Sequence, residues 1–197
     1  MGGRHTSVII EADGGSRGNP GPAGYGSVLK DADTDEVIAE AAESIGHATN
    51  NVAEYRGLIA GLELYLEHTP DALLEVRMDS KLVIEQMAGR WKIRHRDMRP
   101  LAMTAQRLAP FGTVWTWVPR EQNKHADRLA NAAMDAAAHG ETYVVGTPHE
   151  PPLDEAADLD EPDPLDEPKM LEPDAGAEAY EGQDGQPLAE ATGLVSA

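Results

Sequence analysis

Four acidic side chains stand where the chain changes element. Asp13 precedes Gly14-Gly15, Glu54 follows Asn50-Asn51, Asp79 precedes Ser80, and Asp127 lies two residues before Leu129-Ala130. Brought together, four carboxylates repel one another unless cations lie between them. Such a set suits two hard divalent cations in an in-line displacement at phosphorus, one on the attacking water and one on the leaving oxygen. The chain contains no cysteine, so disulfides and thiolate metal sites are excluded. Oxygen ligands favour Mg²⁺, with Mn²⁺ as the alternative. Each acid alone also has a plainer account. Asp13 before two glycines is a turn former, Glu54 and Asp127 near helix starts complement a helix dipole, and Asp79-Ser80 is an ordinary capping pair. On residue type and position alone, both accounts stand.

The elements that must carry these acids can be read from hydrophobic pattern and punctuation. Residues 7–12 form a short apolar run ending at Asp13-Gly14-Gly15, as a buried strand does at a turn. Residues 25–30 and 37–44 read as two further strands around the polar tip DADTDE. Residues 50–68 have a helical pattern, with Asn50 or Asn51 as the N-cap. A fourth strand is expected over 73–78, short helices over 80–88 and 100–108, a fifth strand over 113–118, and an Ala-rich helix over 122–139. The order β-β-β-α-β-α-α-β-α predicts an α/β fold, a five-stranded mixed sheet flanked by helices. Asp13 and Asp79 then end strands, while Glu54 and Asp127 begin helices, where functional groups of α/β sheets gather.

Charge divides the 197 residues unevenly. The net charge is −19, but residues 148–197 hold 15 of the 35 acids and only Lys169 of the 16 Lys and Arg residues. They also hold eight of the 14 prolines, and Tyr180 is their one aromatic residue. Such a stretch buries too little apolar surface to offset its ordering entropy. The expectation is a domain over 1–147 and an acidic, Pro-rich disordered tail or linker over 148–197. The three-residue apolar run before Glu11 is too short for a signal peptide, and no long apolar stretch crosses a membrane, so a cytoplasmic protein is expected. The acidic total therefore says little about the binding face of the domain.

The motifs, in their order, resemble those of the type 1 ribonuclease H family. The segment 13–26, DGGSRGNPGPAGYG, is similar to its first-strand signature, and Thr49-Asn50-Asn51-Val52-Ala53-Glu54 to its T-N-N-x-x-E helix start. Asp79-Ser80 resembles its fourth-strand D-S, and Asp127-Arg128-Leu129-Ala130 its final D-x-L-A. The resemblance covers residues 6–140, and four motifs in register are far more specific than any one. It implies the ribonuclease H-like fold and an active site of Asp13, Glu54, Asp79 and Asp127 holding two Mg²⁺. It also implies an endonuclease that hydrolyses the RNA strand of an RNA–DNA hybrid to 5′-phosphate and 3′-hydroxyl ends, and a monomer is expected. A hybrid-binding module without catalysis is the alternative, weakened by the presence of all four acids. Some family members continue into a C-terminal acid phosphatase domain. The tail resembles such a linker, although no R-H-G phosphatase signature occurs here.

Neighbouring residues suit that substrate. RNA is distinguished by its 2′-hydroxyls in the minor groove of a hybrid. Gly14 and Gly15 allow close backbone approach, and the resemblance places Asn19 and Asn51 in this contact, where an amide offers both donor and acceptor. Thr49 and Asn50, beside a helix N-terminus, are placed to hold a phosphate, in the family that of the DNA strand. Residues 89–99 carry five Lys or Arg, one tryptophan and one acid. Trp91, Lys92 and Arg94 are therefore candidates for stacking and phosphate contact; the plainer account is a solvated loop with Trp91 tucked into the core.

Many family members carry a histidine on a loop before the last helix. Here the matching position holds Arg120, which cannot act as a base but can hold a phosphate. His125 stands two residues before Asp127, and helical residues two apart point about 200° from each other, so His125 should face away. Asn123, four residues before Asp127, is a candidate for substrate contact, for placing Arg120 or for the water shell of the second metal. Asp31–Glu36 begins like an EF-hand loop but has Glu36 where glycine is required, and reads as a hairpin tip. Met87, Met98, Met103 and Met134 are expected to be core residues.

Overall fold

The computed structural model describes residues 5–146. The segment expected as a tail, 148–197, lies outside the described residues.

Three long antiparallel strands open the chain: β1 (Ser7–Ser16), β2 (Gly21–Asp31) and β3 (Val37–Ala48). The helix α1 (Asn50–His68) leads to β4 (Leu73–Met78), which lies parallel to β1. Then come α2 (Lys81–Met87), α3 (Met98–Leu108) and β5 (Val114–Trp117), parallel to β4. A 3₁₀ turn at Arg120–Gln122 precedes α4 (Lys124–Ala138). The expected order is correct, but among the described residues the sheet has six strands, in the order β5-β4-β1-β2-β3-β6. The sixth, β6 (Val144–Val145), adds two residues to the edge beside Ala42 and Glu43. Two residues are too few to leave a periodic signal.

The first strand is longer than its apolar run. Pairing with β2 continues to Ser16↔Ala23, straight through the glycines that read as a turn. Those glycines serve packing across the sheet. A Cβ on Gly14 would stand 2.2 Å from the carbonyl carbon of Ala53, in the first turn of α1. On the other face, a Cβ on Gly24 would stand 2.7 Å from the Ala133 carbonyl carbon, and one on Gly26 2.5 Å from the Ala126 oxygen, both in α4. Alternating residues along a strand face opposite sides, so this glycine pattern seats α1 on one face and α4 on the other with backbones nearly touching.

The main core lies on the α1 face, where Ile10, Tyr25, Leu58, Leu62, Val76 and Leu101 are buried among α1, α2 and α3. A smaller cluster of Val28, Ala42 and Leu129 lies under α4. Met87, Met98 and Met134 are buried, but Met103 is exposed on α3 and is not a core residue. The N-cap of α1 is Thr49, whose Oγ1 accepts from Val52 N–H at 3.3 Å, rather than Asn50 or Asn51. The tip after β2 is an Asx turn, with Asp31 Oδ1 accepting from Asp33 and Thr34 N–H at 3.0 and 2.9 Å. No helix among the described residues is long and apolar enough to cross a membrane.

Candidate active site

The four acids meet toward one end of the sheet because β4 ends there, α1 and α4 begin there, and β1, which runs on to Ser16, passes them at Asp13 rather than ending at it as expected. The parallel ladder of β1 and β4 reaches Glu11↔Arg77, and the same offset two residues on sets Asp13 level with Asp79. Contact of α1 with Gly14 brings Glu54 to this end, and contact of α4 with Gly26, the β-partner of Asp13, brings Asp127. Crevices at the carboxyl ends of strands are where α/β sheets place ligands.

Burial and mutual repulsion set the charge of this group. Burial, and then the Asp79 charge, push Asp13 up to about 7. A hydrogen bond from Gly14 N–H to Asp13 Oδ1 at 2.9 Å pulls the other way; Asp127 adds to the rise and Arg120 opposes it. Burial, followed by the charges of Asp13 and Asp79, raises Glu54 well above the usual carboxylate range. The Oε2 of Glu54 is buried and accepts no hydrogen bond among the described residues. Arg120 is bonded through Nη2 to Asp127 Oδ1. Among the described residues no three acids or histidines already form a cage for an ion. What the fold assembles is a set of mutually repelling oxygen ligands short of positive charge. That donor set, with its lone buried acceptor, fits a hard divalent cation.

The expected substrate residues fall into two groups. Around the end of β1, Asn50 Oδ1 accepts from Ser16 N–H at 2.8 Å and from Ser16 Oγ at 2.9 Å, and Asn50 N–H donates to Asn19 Oδ1 at 3.1 Å. Asn19 and Asn50 thus tie the β1–β2 loop to the start of α1, with Thr49 as its cap and Asn51 half-buried beside them. Arg17 fastens the same loop to α4 through Asp135 at 2.5 Å and Asn131 at 3.2 Å. Gly14 is needed for the approach of α1, and a Cβ on Gly15 would stand 3.0 Å from the Met134 sulfur. Both glycines therefore serve packing first.

The basic segment forms the second group. Trp91 is 39% exposed, so it is not a core residue, and Lys92 and Arg94 are exposed beside it. Arg90 is paired with Glu85. The sequence reading missed the anchor of this segment. Gln86, buried on α2, accepts from Tyr55 Oη at 2.7 Å and donates to the Lys92 carbonyl at 3.4 Å. Tyr55 adjoins Glu54, so the basic segment is linked to the carboxylate group through one buried amide. Trp117 was also missed; its half-exposed indole donates from Nε1 to the Asp79 carbonyl at 3.0 Å. Its position at the end of β5, level with Met78, was the signal available.

Two expectations about the last helix come out differently. His125 faces away from the acids, as expected, and its Nε2 lies 2.5 Å from Glu40 Oε1 on β3. Asn123 has no exposed surface, so it lies beneath the carboxylates and does not present itself to a substrate. Its Nδ2 donates to the Ala12 carbonyl at 2.9 Å and to Asp79 Oδ1 at 3.1 Å.

Comparison with known proteins bears on this arrangement. Residues 11–133 match the family model described as reverse transcriptase-like. A protein of Halobacterium salinarum named ribonuclease HI is 46% identical over 127 residues, which cover 64% of this chain and 63% of that protein. The chain belongs to the ribonuclease H family. A Mycobacterium tuberculosis protein described as bifunctional is 62% identical over 135 residues, 66% of this chain but only 36% of that relative's length. The chain therefore matches about a third of that relative. Among solved structures, the N-terminal RNase H domain of a Mycobacterium tuberculosis protein, fused to maltose binding protein, matches with a TM-score of 0.65 and 59% identity, covering 68% of this chain and 98% of that one. An RNase H1 termed LC11, solved in complex with an RNA/DNA hybrid, matches with a TM-score of 0.62 and 39% identity, covering 67% and 99%.

Proposed function

We propose that this ribonuclease H-family chain hydrolyses the RNA strand of RNA–DNA hybrids, with Asp13, Glu54, Asp79 and Asp127 holding divalent cations. The observation that carries this reading is the buried Asp13–Glu54 pair. Burial pushes both carboxyls up, the Asp79 charge adds to the rise of each and Asp13 to that of Glu54, and one Glu54 oxygen has no partner among the described residues. A fold keeps so costly a group where charge is to be supplied from outside. The hybrid-bound LC11 relative supports the substrate class. Two Mg²⁺ ions, or Mn²⁺ in their place, would supply an activated water and stabilise charge on the leaving oxygen, giving 5′-phosphate and 3′-hydroxyl ends.

The chain's own residues do the rest. Asn19 and Asn50 hold the β1–β2 loop at the start of α1, which leaves Asn51, Gly15 and the loop backbone to meet 2′-hydroxyls. Thr49 and Asn50, at the N-terminus of α1, take a phosphate of the DNA strand. Trp91, Lys92 and Arg94 bind the hybrid further along, and Arg120 leaves Asp127 to hold the scissile or leaving phosphate. The working unit is proposed to be residues 1–147, acting as a monomer, with 148–197 as a linker. The bifunctional mycobacterial relative supports a further domain in a longer form of the protein, which the family resemblance makes a phosphatase. A reading frame continuing past Ala197 tests that point.

The decisive experiment offers labelled RNA–DNA hybrid, RNA duplex and DNA duplex to the purified chain with Mg²⁺ or with chelator. Hybrid RNA should be cut only when metal is present, and Asp79→Asn should lose nearly all activity while keeping its fold. Retention of hybrid without cleavage would favour a binding module instead.

A further inference from the structure

Asn123 is the N-cap residue of α4, and asparagine is among the best side chains for that position because its Oδ1 can accept from a backbone N–H of the first turn. Here it makes no such bond. The side chain turns inward instead and is wholly buried. Its two amide protons go to the Ala12 carbonyl at 2.9 Å and to Asp79 Oδ1 at 3.1 Å. Both neighbours are acceptors, so the amide can only present its NH₂ group to them. The Oδ1, the atom that would have capped the helix, is buried without a hydrogen bond among the described residues.

The backbone of Asn123 completes the junction. Its N–H donates to the Arg120 carbonyl at 3.0 Å, and its carbonyl accepts from Asp127 N–H at 3.0 Å. One residue is thus joined to the strand residue before Asp13, to the carboxylate of Asp79, and to the backbones of Arg120 and Asp127. A helix cap is given up and a buried acceptor is left alone at this one point. Local rules broken together in this way mark sites that serve something other than stability.

From this we infer that Asn123 is a positioning residue: its amide fixes the Asp79 carboxylate against β1 at Ala12, setting the spacing of Asp13, Asp79 and Asp127 at which they bind divalent cations. The inference rests on the metal-centre reading above. Partners of this kind, which hold a ligand rather than touch the ion, set affinity because an unheld carboxylate must be ordered when the cation binds. The lone Oδ1 is then an acceptor for water brought in with the cation.

Asn123→Leu keeps the side-chain size and removes both donors. Asn123→Ser supplies a hydroxyl suited to capping α4 but too short to reach both Ala12 and Asp79. Each is purified as the full chain, and Mn²⁺ binding is measured by calorimetry without nucleic acid, beside the melting temperature in chelator and steady-state kinetics on hybrid. Both variants should bind Mn²⁺ about 10- to 100-fold more weakly than the parent and lose kcat in proportion, with KM for hybrid within about twofold of the parent's. The serine variant, able to cap the helix, should melt close to the parent and keeps the test alive if the leucine variant does not fold. Unchanged Mn²⁺ affinity in a folded variant overturns the inference, whatever the melting temperature does. Failure of the parent itself to bind Mn²⁺ overturns the metal-centre reading, and the inference with it.

Discussion

Arg120 donates from its guanidinium to the carboxylate of Asp127, so one of the four acids already has a cation from its own chain. The pair is partly exposed, and the bond is one that water and salt can break. A divalent ion taking Asp127 as ligand must displace the guanidinium, which becomes free for a phosphate. Arg120→Ala should therefore leave Mn²⁺ affinity without nucleic acid unchanged or severalfold tighter, and still lower kcat on hybrid at saturating metal, because a charge held for the phosphate has gone. His125→Ala, which removes a partner of Glu40 on the far side of α4, should change kcat little. Weaker Mn²⁺ binding by Arg120→Ala would mean that the arginine orients Asp127 instead. A large kcat loss confined to His125→Ala would restore a histidine mechanism.

The pH dependence of the metal-free protein follows from Asp13. Its carboxyl is raised from an ordinary value of 3.8 to about 7 by burial and Asp79. The native state thus holds a proton that the unfolded chain has released. Its contribution to stability is fully present below 3.8 and is lost as pH rises through about 7. Glu54 acts in the same sense. In chelator the melting temperature should fall between pH 5 and about 8, and the fall should shrink in Asp13→Asn. Mg²⁺ should raise the parent's melting temperature more at the upper end of that range, since the ion and the proton compete for the same oxygens. A parent whose melting temperature is flat over this range, and matched by Asp13→Asn, would show that Asp13 ionises normally.

Gly14→Ala tests the close approach of β1 and α1. A methyl group 2.2 Å from the Ala53 carbonyl carbon meets backbone and has no side chain to push aside. Overpacking of this kind costs about 1–3 kcal/mol and more where backbone must move, so thermal unfolding should show a loss at or above that range. Gly46→Ala, with nothing within 4 Å but a φ of +75°, serves as the control that separates backbone strain from packing. Equal stability of Gly14→Ala and the parent would contradict the helix placement.

The basic segment should act through binding rather than chemistry. Replacing Lys92 and Arg94 together with alanine should raise KM for hybrid more than it lowers kcat, and should make the salt dependence of binding shallower. Trp91→Ala should behave likewise, since its ring is exposed. Gln86→Leu should reproduce the KM effect without touching any charge, because it frees the Lys92 backbone from the α1 side. If Gln86→Leu lowers stability and leaves KM alone, the Tyr55–Gln86 bond is only a core feature.

Much of the site was visible as residue types at element boundaries. Asp13, Glu54, Asp79 and Asp127 were singled out on position, and family resemblance supplied the assurance that spacing lacked. Element order was also legible, because strands and helices leave different hydrophobic periods. Misses came where local pattern and tertiary contact disagree. Residues 13–16 look like a turn but remain strand, because β2 pairs with Gly14 and Gly15 along one edge while Ala53 and Met134, distant in sequence, close on their two faces. Two-residue β6 exists only because β3 offers it an edge. Met103 is apolar yet exposed, since helical phase and not hydrophobicity decides which side of α3 it takes.

The chain alone determined which chemistry was open to it: no thiols, four carboxylates at element ends, and a basic stretch holding one tryptophan. Such properties belong to residue type and order, and they survive without a fold. What tertiary structure decided is the state of those groups. Asp13 is raised to about 7 only because burial and Asp79 coincide. Arg120 meets Asp127 only across the 3₁₀ turn before α4, and Asn123 becomes a clamp instead of a helix cap only because Ala12 and Asp79 arrive beside it from two parallel strands. Charge coupling and hydrogen bonding act over a few ångströms of space, a distance to which separation along the chain is no guide.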